Sequence, residues 1–201
     1  MTRVNCWPLL LLLLTLTCAG ATDSHALEAA TGRLLLASNK MSDSRFKETV
    51  ILITGHEHGS MGIILNRPTG LKLAEVLPEV EEVRGRPTIF YFGGPVDKQQ
   101  VLTLLRNGER RDNSSQVVGR TGLSDLKSVL DRFDDEQIDA KLRVYLGYVG
   151  WAPGQLNKEI VRGDWLVIAE DEMAIYDPQP RTLWTRLWQK HTQEMTGQEK
   201  E

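Results

Sequence analysis

Thr49-Val50-Ile51-Leu52-Ile53-Thr54 leads into Gly55-His56-Glu57-His58-Gly59, and Met61-Gly62-Ile63-Ile64-Leu65 follows. The outer stretches are apolar, β-branched runs of strand length, and the stretch between them is a short Gly-flanked polar loop. Two such runs around such a loop predict a β-hairpin. Working outward, Leu34-Leu35-Leu36 reads as an earlier strand and Thr88–Phe92 (TIFYF) as a later one, ended by Gly93-Gly94-Pro95. Val101–Leu105 and Gln116–Val118 read as two strands around a polar loop that carries Arg106, Arg110, Arg111 and Asn113. In Lys141–Tyr148, Leu142, Val144 and Leu146 alternate with Arg143, Tyr145 and Gly147, the period of a strand. Trp165–Ala169 (WLVIA) is a last internal strand.

Helical spacing interrupts this series. Leu71–Leu77 gives a brief pattern stopped by Pro78. Ser124 is suited to cap a helix carrying Leu126, Val129, Leu130 and Phe133. Pro153 fits the first turn of a short helix with Leu156 and Ile160. Leu183, Trp184, Leu187 and Trp188 form one apolar stripe on a final helix, which predicts packing on the domain's own core. Helices and strands interleave, several strands as hairpins, so the fold class is mixed α/β (α+β) with a largely antiparallel sheet.

The first 21 residues have their own pattern. Arg3 is their only charge, Leu9–Leu14 is a short leucine run, and Ala19-Gly20-Ala21 is a small-residue exit. This predicts a secretory leader over residues 1–21, cut after Ala21, and export to the periplasm or beyond. The apolar run is too short for a transmembrane span. Thr15 and Thr17 before Cys18 disfavour a lipoprotein. An exposed lead over 22–31, one domain over 32–192 and a polar tail over 193–201 complete the layout. Both cysteines, Cys6 and Cys18, fall in the leader, so the mature chain would hold no thiol and no disulfide. Without Arg3, the 24 Lys+Arg become 23 against 27 Asp+Glu, a net charge of −4. That balance argues against a nucleic-acid partner, which needs a basic face.

Catalytic signatures are sparse. There is no Gly-x-Ser-x-Gly elbow, no phosphate loop and no dinucleotide fingerprint, so no cofactor is expected. His56 and His58 lack a third ligand, with only His25 and His191 elsewhere, so no metal is expected either. A hydrolase or transferase using His56 or His58 as base, with Ser60 or water as nucleophile, is the enzymatic alternative. Three Gly/Pro-rich turns, each after a strand, are the more unusual feature: Asn66-Arg67-Pro68, Gly93-Gly94-Pro95-Val96 and Gly147–Leu156. As tight corners they need Asn66 and Gln155 only to bond backbone. As a site, Asn66, Arg67, Gly93, Gly94, Pro95, Gly150, Trp151, Gly154 and Gln155 would bind an unidentified small molecule, peptide or protein. Arg67 would supply charge, Trp151 an apolar face, and the amides near Gly93 and Gly154 donors.

These segments also carry a resemblance. Leu34–Gly70 (LLLASNKMSDSRFKETVILITGHEHGSMGIILNRPTG), Phe90–Val96 (FYFGGPV), Leu142–Val167 (LRVYLGYVGWAPGQLNKEIVRGDWLV) and Ile175–Trp184 (IYDPQPRTLW) resemble the signature blocks of the YqgE/AlgH family. The resemblance spans about Gly32 to Trp188. It implies one compact domain around a β-barrel-like sheet, with no established molecular activity. The transcriptional-regulator label of some members implies a regulatory alternative but no DNA-binding motif. The leader and the short GHEHG loop depart from the family pattern.

Overall fold

In the computed structural model, residues 27–106, 115–126, 129 and 141–198 are described. The leader with its cut site and Cys18, the Arg110, Arg111 and Asn113 loop, and Leu130 and Phe133 lie outside them.

Among the described residues ten strands form one curled, mostly antiparallel sheet. They are β1 (Leu34–Ala37), β2 (Val50–Gly55), β3 (Ser60–Ile64), β4 (Pro68–Lys72), β5 (Ile89–Phe92), β6 (Val96–Arg106), β7 (Ser115–Val118), β8 (Thr121–Asp125), β9 (Leu142–Trp151) and β10 (Trp165–Ile168). The order is β10-β1-β2-β3-β9-β6-β8-β7, with β5 parallel to β9 and β4 antiparallel to β5. The 49–65 stretch is the expected hairpin, with Ile51 opposite Ile64 and Leu52 opposite Ile63.

The lack of polar alternation in β1 and β2 has a packing cause. Leu34, Leu36, Val50 and Leu52 face an inner core with Tyr91, Leu102, Leu104, Val117 and Tyr145. Leu35, Ala37, Ile51 and Ile53 face an outer layer with Val149, Trp151, Leu156 and Trp165. A strand covered on both faces reads as a continuous apolar run. A third cluster, Leu73, Val83, Phe90, Leu142 and Val144, seals the outer side of β5 and β9.

β9 belongs to both halves of the sheet. Its early residues pair with β5 and β6, and its last residues pair with β3. Gly147 lies at φ +69°, and the alternation changes phase there. Tyr145 and Tyr148 pack with the inner core, whereas Val149 and Trp151 pack with the outer layer. A one-residue irregularity of this kind re-aims every following side chain. It is what turns Trp151 outward.

Two expectations are revised. Ser124 lies in β8, opposite Thr103, rather than capping a helix. β8 also separates β6 from β7, so the two strands around the polar loop are not direct neighbours. The final helix runs Leu183–Gln198. Leu183 is buried in the inner core, Trp184, Leu187 and Trp188 pack against it, and the Trp184 indole donates to Ala37 O at 2.8 Å. The stripe therefore covers the domain's own core, as its spacing predicts.

Candidate functional site

The three turns adjoin. Phe92 N donates to Arg67 O, Ile64 N to Gly93 O, and Gly93 N to Leu146 O, all within 2.8–2.9 Å. Gly94 lies directly against the Tyr148 backbone, where an added Cβ would fall 2.1 Å from the carbonyl oxygen.

Their side chains do not converge on one point. Asn66 is buried and committed to backbone: Oδ1 accepts from Val50 N at 3.0 Å and Nδ2 donates to Glu48 O at 2.8 Å. Arg67 donates to Lys47 O at 3.3 Å, and partial burial lowers its pKa. Gly93 and Gly94 serve close approach to β9. Gly154 is the left-handed residue that precedes the Gln155–Arg162 helix.

Pro95, Gly150, Trp151 and Gln155 do come together. They line a cleft of about 320 Å³ with Val96, Val149, the Met41–Phe46 loop, Glu159, Arg162, Asp164 and Trp165. Its far wall is fixed by Ser38, just after β1: Ser38 N donates to Asp164 O and Ser38 Oγ to Gly163 O, which anchors the end of the 155–162 helix.

Glu159 organises the floor. Its Oε2 accepts from the Trp151 indole N–H at 2.9 Å and from the Trp165 indole N–H at 2.8 Å. Its Oε1 accepts from Gln155 Nε2 at 3.0 Å, and Gln155 Oε1 in turn accepts from Ala152 N at 3.0 Å. Bonds to an ionised acceptor are the stronger kind, so this hub sets both indoles. Phe46 meets Trp165 edge-on at 5.9 Å between centroids, and Trp165 meets Trp151 edge-on at 6.2 Å. At the rim Arg45 clasps Asp43 and holds its carboxyl below the usual range. Arg162 pairs with Asp164, which raises the guanidinium pKa.

Asp43, Phe46, Glu159 and Trp165 were not among the sequence-derived site residues. One signal pointed to Glu159: Gln155 and Glu159, four apart, share a helix face. The GHEHG loop holds a separate pair. His56 Nδ1 lies 2.7 Å from Ser60 Oγ, while His58 is exposed. Among the described residues no three His, Cys, Asp or Glu are grouped for a metal, and no helix is long and apolar enough to cross a membrane.

Known proteins share this frame. A UPF0301 protein of Streptomyces avermitilis is 32% identical over 184 residues, covering 88% of this chain and 93% of its own. One of Rhodococcus erythropolis is 34% identical over 170 residues, covering 80% and 82%. The crystal structure of protein DIP2367 from Corynebacterium diphtheriae superposes with a TM-score of 0.67 at 26% identity, covering 82% of this chain and 88% of that one. The solution structure of the AlgH protein from Pseudomonas aeruginosa gives 0.62 at 29% identity, covering 77% and 87%. The AlgH-like family profile matches residues 34–196; with the hairpin, the adjoining turns and the curled sheet all in place, the chain belongs to the AlgH-like family.

Proposed function

We propose that this protein is an exported, non-enzymatic binding domain whose ligand enters the cleft between the Met41–Phe46 loop and the Gln155–Arg162 helix. The supporting observation is the Glu159 hub: a carboxylate that fixes two indoles at the base of a cleft of about 320 Å³. That volume suits a small molecule or one side chain of a peptide or protein, in a setting of aromatic walls and a few placed polar groups. In a screen of a mixed metabolite library by ¹H–¹⁵N NMR, binders should shift the indole N–H resonances of Trp151 and Trp165. A screen whose hits all move resonances elsewhere overturns this reading.

The enzymatic reading keeps one favouring contact, the 2.7 Å pair between His56 Nδ1 and Ser60 Oγ, which is nucleophile–base distance. Intact mass of the protein from its native host addresses both export and this reading. The expected chain begins at Thr22, and after fluorophosphonate treatment Ser60 carries no adduct. A chain beginning at Met1 ends the export proposal. An adduct on Ser60 that disappears in His56→Ala replaces binding with acyl-transfer chemistry.

A further inference from the structure

Among the described residues five charged side chains line the cleft: the carboxylates Asp43, Glu159 and Asp164, and the guanidiniums Arg45 and Arg162. Both guanidiniums are engaged. Arg45 Nη2 lies 2.7 Å from Asp43 Oδ2, and Arg162 Nε donates to Asp164 Oδ2 at 2.8 Å. Among the described residues Glu159 bonds only neutral donors, the two indoles and the Gln155 amide. Asp164 is the main cause of the raised Arg162 pKa, and the Glu159 charge adds to it. A carboxylate offers about four acceptor directions; three are used here, which leaves one on Oε1.

The wall of the cleft at Glu159 is aromatic. Phe46, Trp165 and Trp151 form a continuous edge-to-face series. The Arg45 guanidinium sits 5.6 Å from the Phe46 ring centroid, so the rim of this wall already holds a cation by the attraction that ring faces exert on positive charge. An anion entering the floor would meet the unmatched charge of Glu159.

We infer that the cleft takes an organic cation, an alkylammonium or alkylguanidinium group, with its N–H directed to Glu159 Oε1 and its stem along the Phe46–Trp165–Trp151 wall. This rests on the cleft being the ligand site and names the ligand's chemistry. A free amine or guanidine and the Lys or Arg side chain of a peptide share that chemistry.

The test titrates the ¹⁵N-labelled protein with n-butylammonium, n-butylguanidinium, the peptide Gly-Lys-Gly-Gly, n-butyrate and n-butanol. The indole N–H resonances of Trp151 and Trp165 should shift saturably with the cations, with affinity at least about tenfold above butyrate and butanol, roughly 1.4 kcal/mol. Comparing the free cations with the peptide identifies the source, and either result supports the assignment. Glu159→Gln should weaken cation binding about tenfold or more. If that variant does not fold, salt decides: the cation affinity must fall between about 20 and 500 mM NaCl while that of butanol holds, because ions screen charge attraction. Butyrate or butanol binding tightest at these resonances overturns the cation assignment and leaves the cleft as the site. Silence from these probes and from the mixed library overturns both.

Discussion

Gly94→Ala should cost the protein at least about 3 kcal/mol, the upper range for overpacking a filled interior, or roughly 6–12 °C in melting midpoint for a domain of this size. The added methyl would lie 2.1 Å from Tyr148 O, 2.2 Å from Tyr148 C and 2.6 Å from Val149 N. All three are backbone atoms of the central strand β9, which is held on both sides by β3 and β6. No side chain can rotate away, so the strand itself must move. Moving it breaks the Gly93 N to Leu146 O and Ile64 N to Gly93 O bonds that join the three turns. Gly70→Ala is the control: Gly70 has φ +84° but nothing within 4 Å of the new methyl, so it reports backbone strain without a clash. Thermal circular dichroism distinguishes them. A Gly94→Ala midpoint within about 2 °C of the parent would show that the turn is not tightly packed.

Trp165→Ala should be comparably severe and should also empty the cleft of its central ring. Trp165 is 2% exposed, packs edge-on against both Phe46 and Trp151, and donates to Glu159. Removing a buried Trp costs about 3–5 kcal/mol, roughly 6–20 °C here. Trp165→Phe keeps a ring but withdraws one of the two indole donors to Glu159 Oε2, for about 1–2 kcal/mol. Trp184→Ala serves as a comparison, because Trp184 packs with the inner core and bonds Ala37 O. It should destabilise without altering the cleft. Ligand-induced shifts at Trp151 that survive Trp165→Ala would separate the cleft from the aromatic wall.

The hairpin was readable because its cues are local: two apolar runs and a polar loop predict their own pairing. The stripe of Leu183, Trp184, Leu187 and Trp188 was readable for the same reason, with four residues on one helical face. β4 and β8 were not. Their residues, Pro68–Lys72 and Thr121–Asp125, carry Pro, Gly, Thr and Ser that read as punctuation. Only the neighbours β5 and β6 make them strands. The candidate site divides in the same way. Gly and Pro mark where corners lie, and the corners adjoin, but they cannot report which side chains face a common space. The phase change at Gly147 decides that for Trp151, and it depends on a positive φ inside an otherwise regular alternating run. The loop Met41–Phe46 reaches the cleft through tertiary packing alone, whereas Glu159 had the one local cue of sharing a helix face with Gln155.

The pairing of β1 with β10, register Leu34 to Ile168 through Ala37 to Trp165, has a consequence for how the molecule is assembled. The earliest strand waits for one of the last, and β3 waits for β9, so the rate of assembly is set by distant contacts rather than by the local hairpin. Chains wired this way close slowly, because the entropy of long loops is lost before their contacts form. A ribosome-bound or partly threaded chain that ends before Trp165 has β1 without this partner, and the outer layer lacks Trp165 itself. Until that residue arrives, the edge of β1 that pairs with β10 keeps its backbone donors and acceptors without this partner.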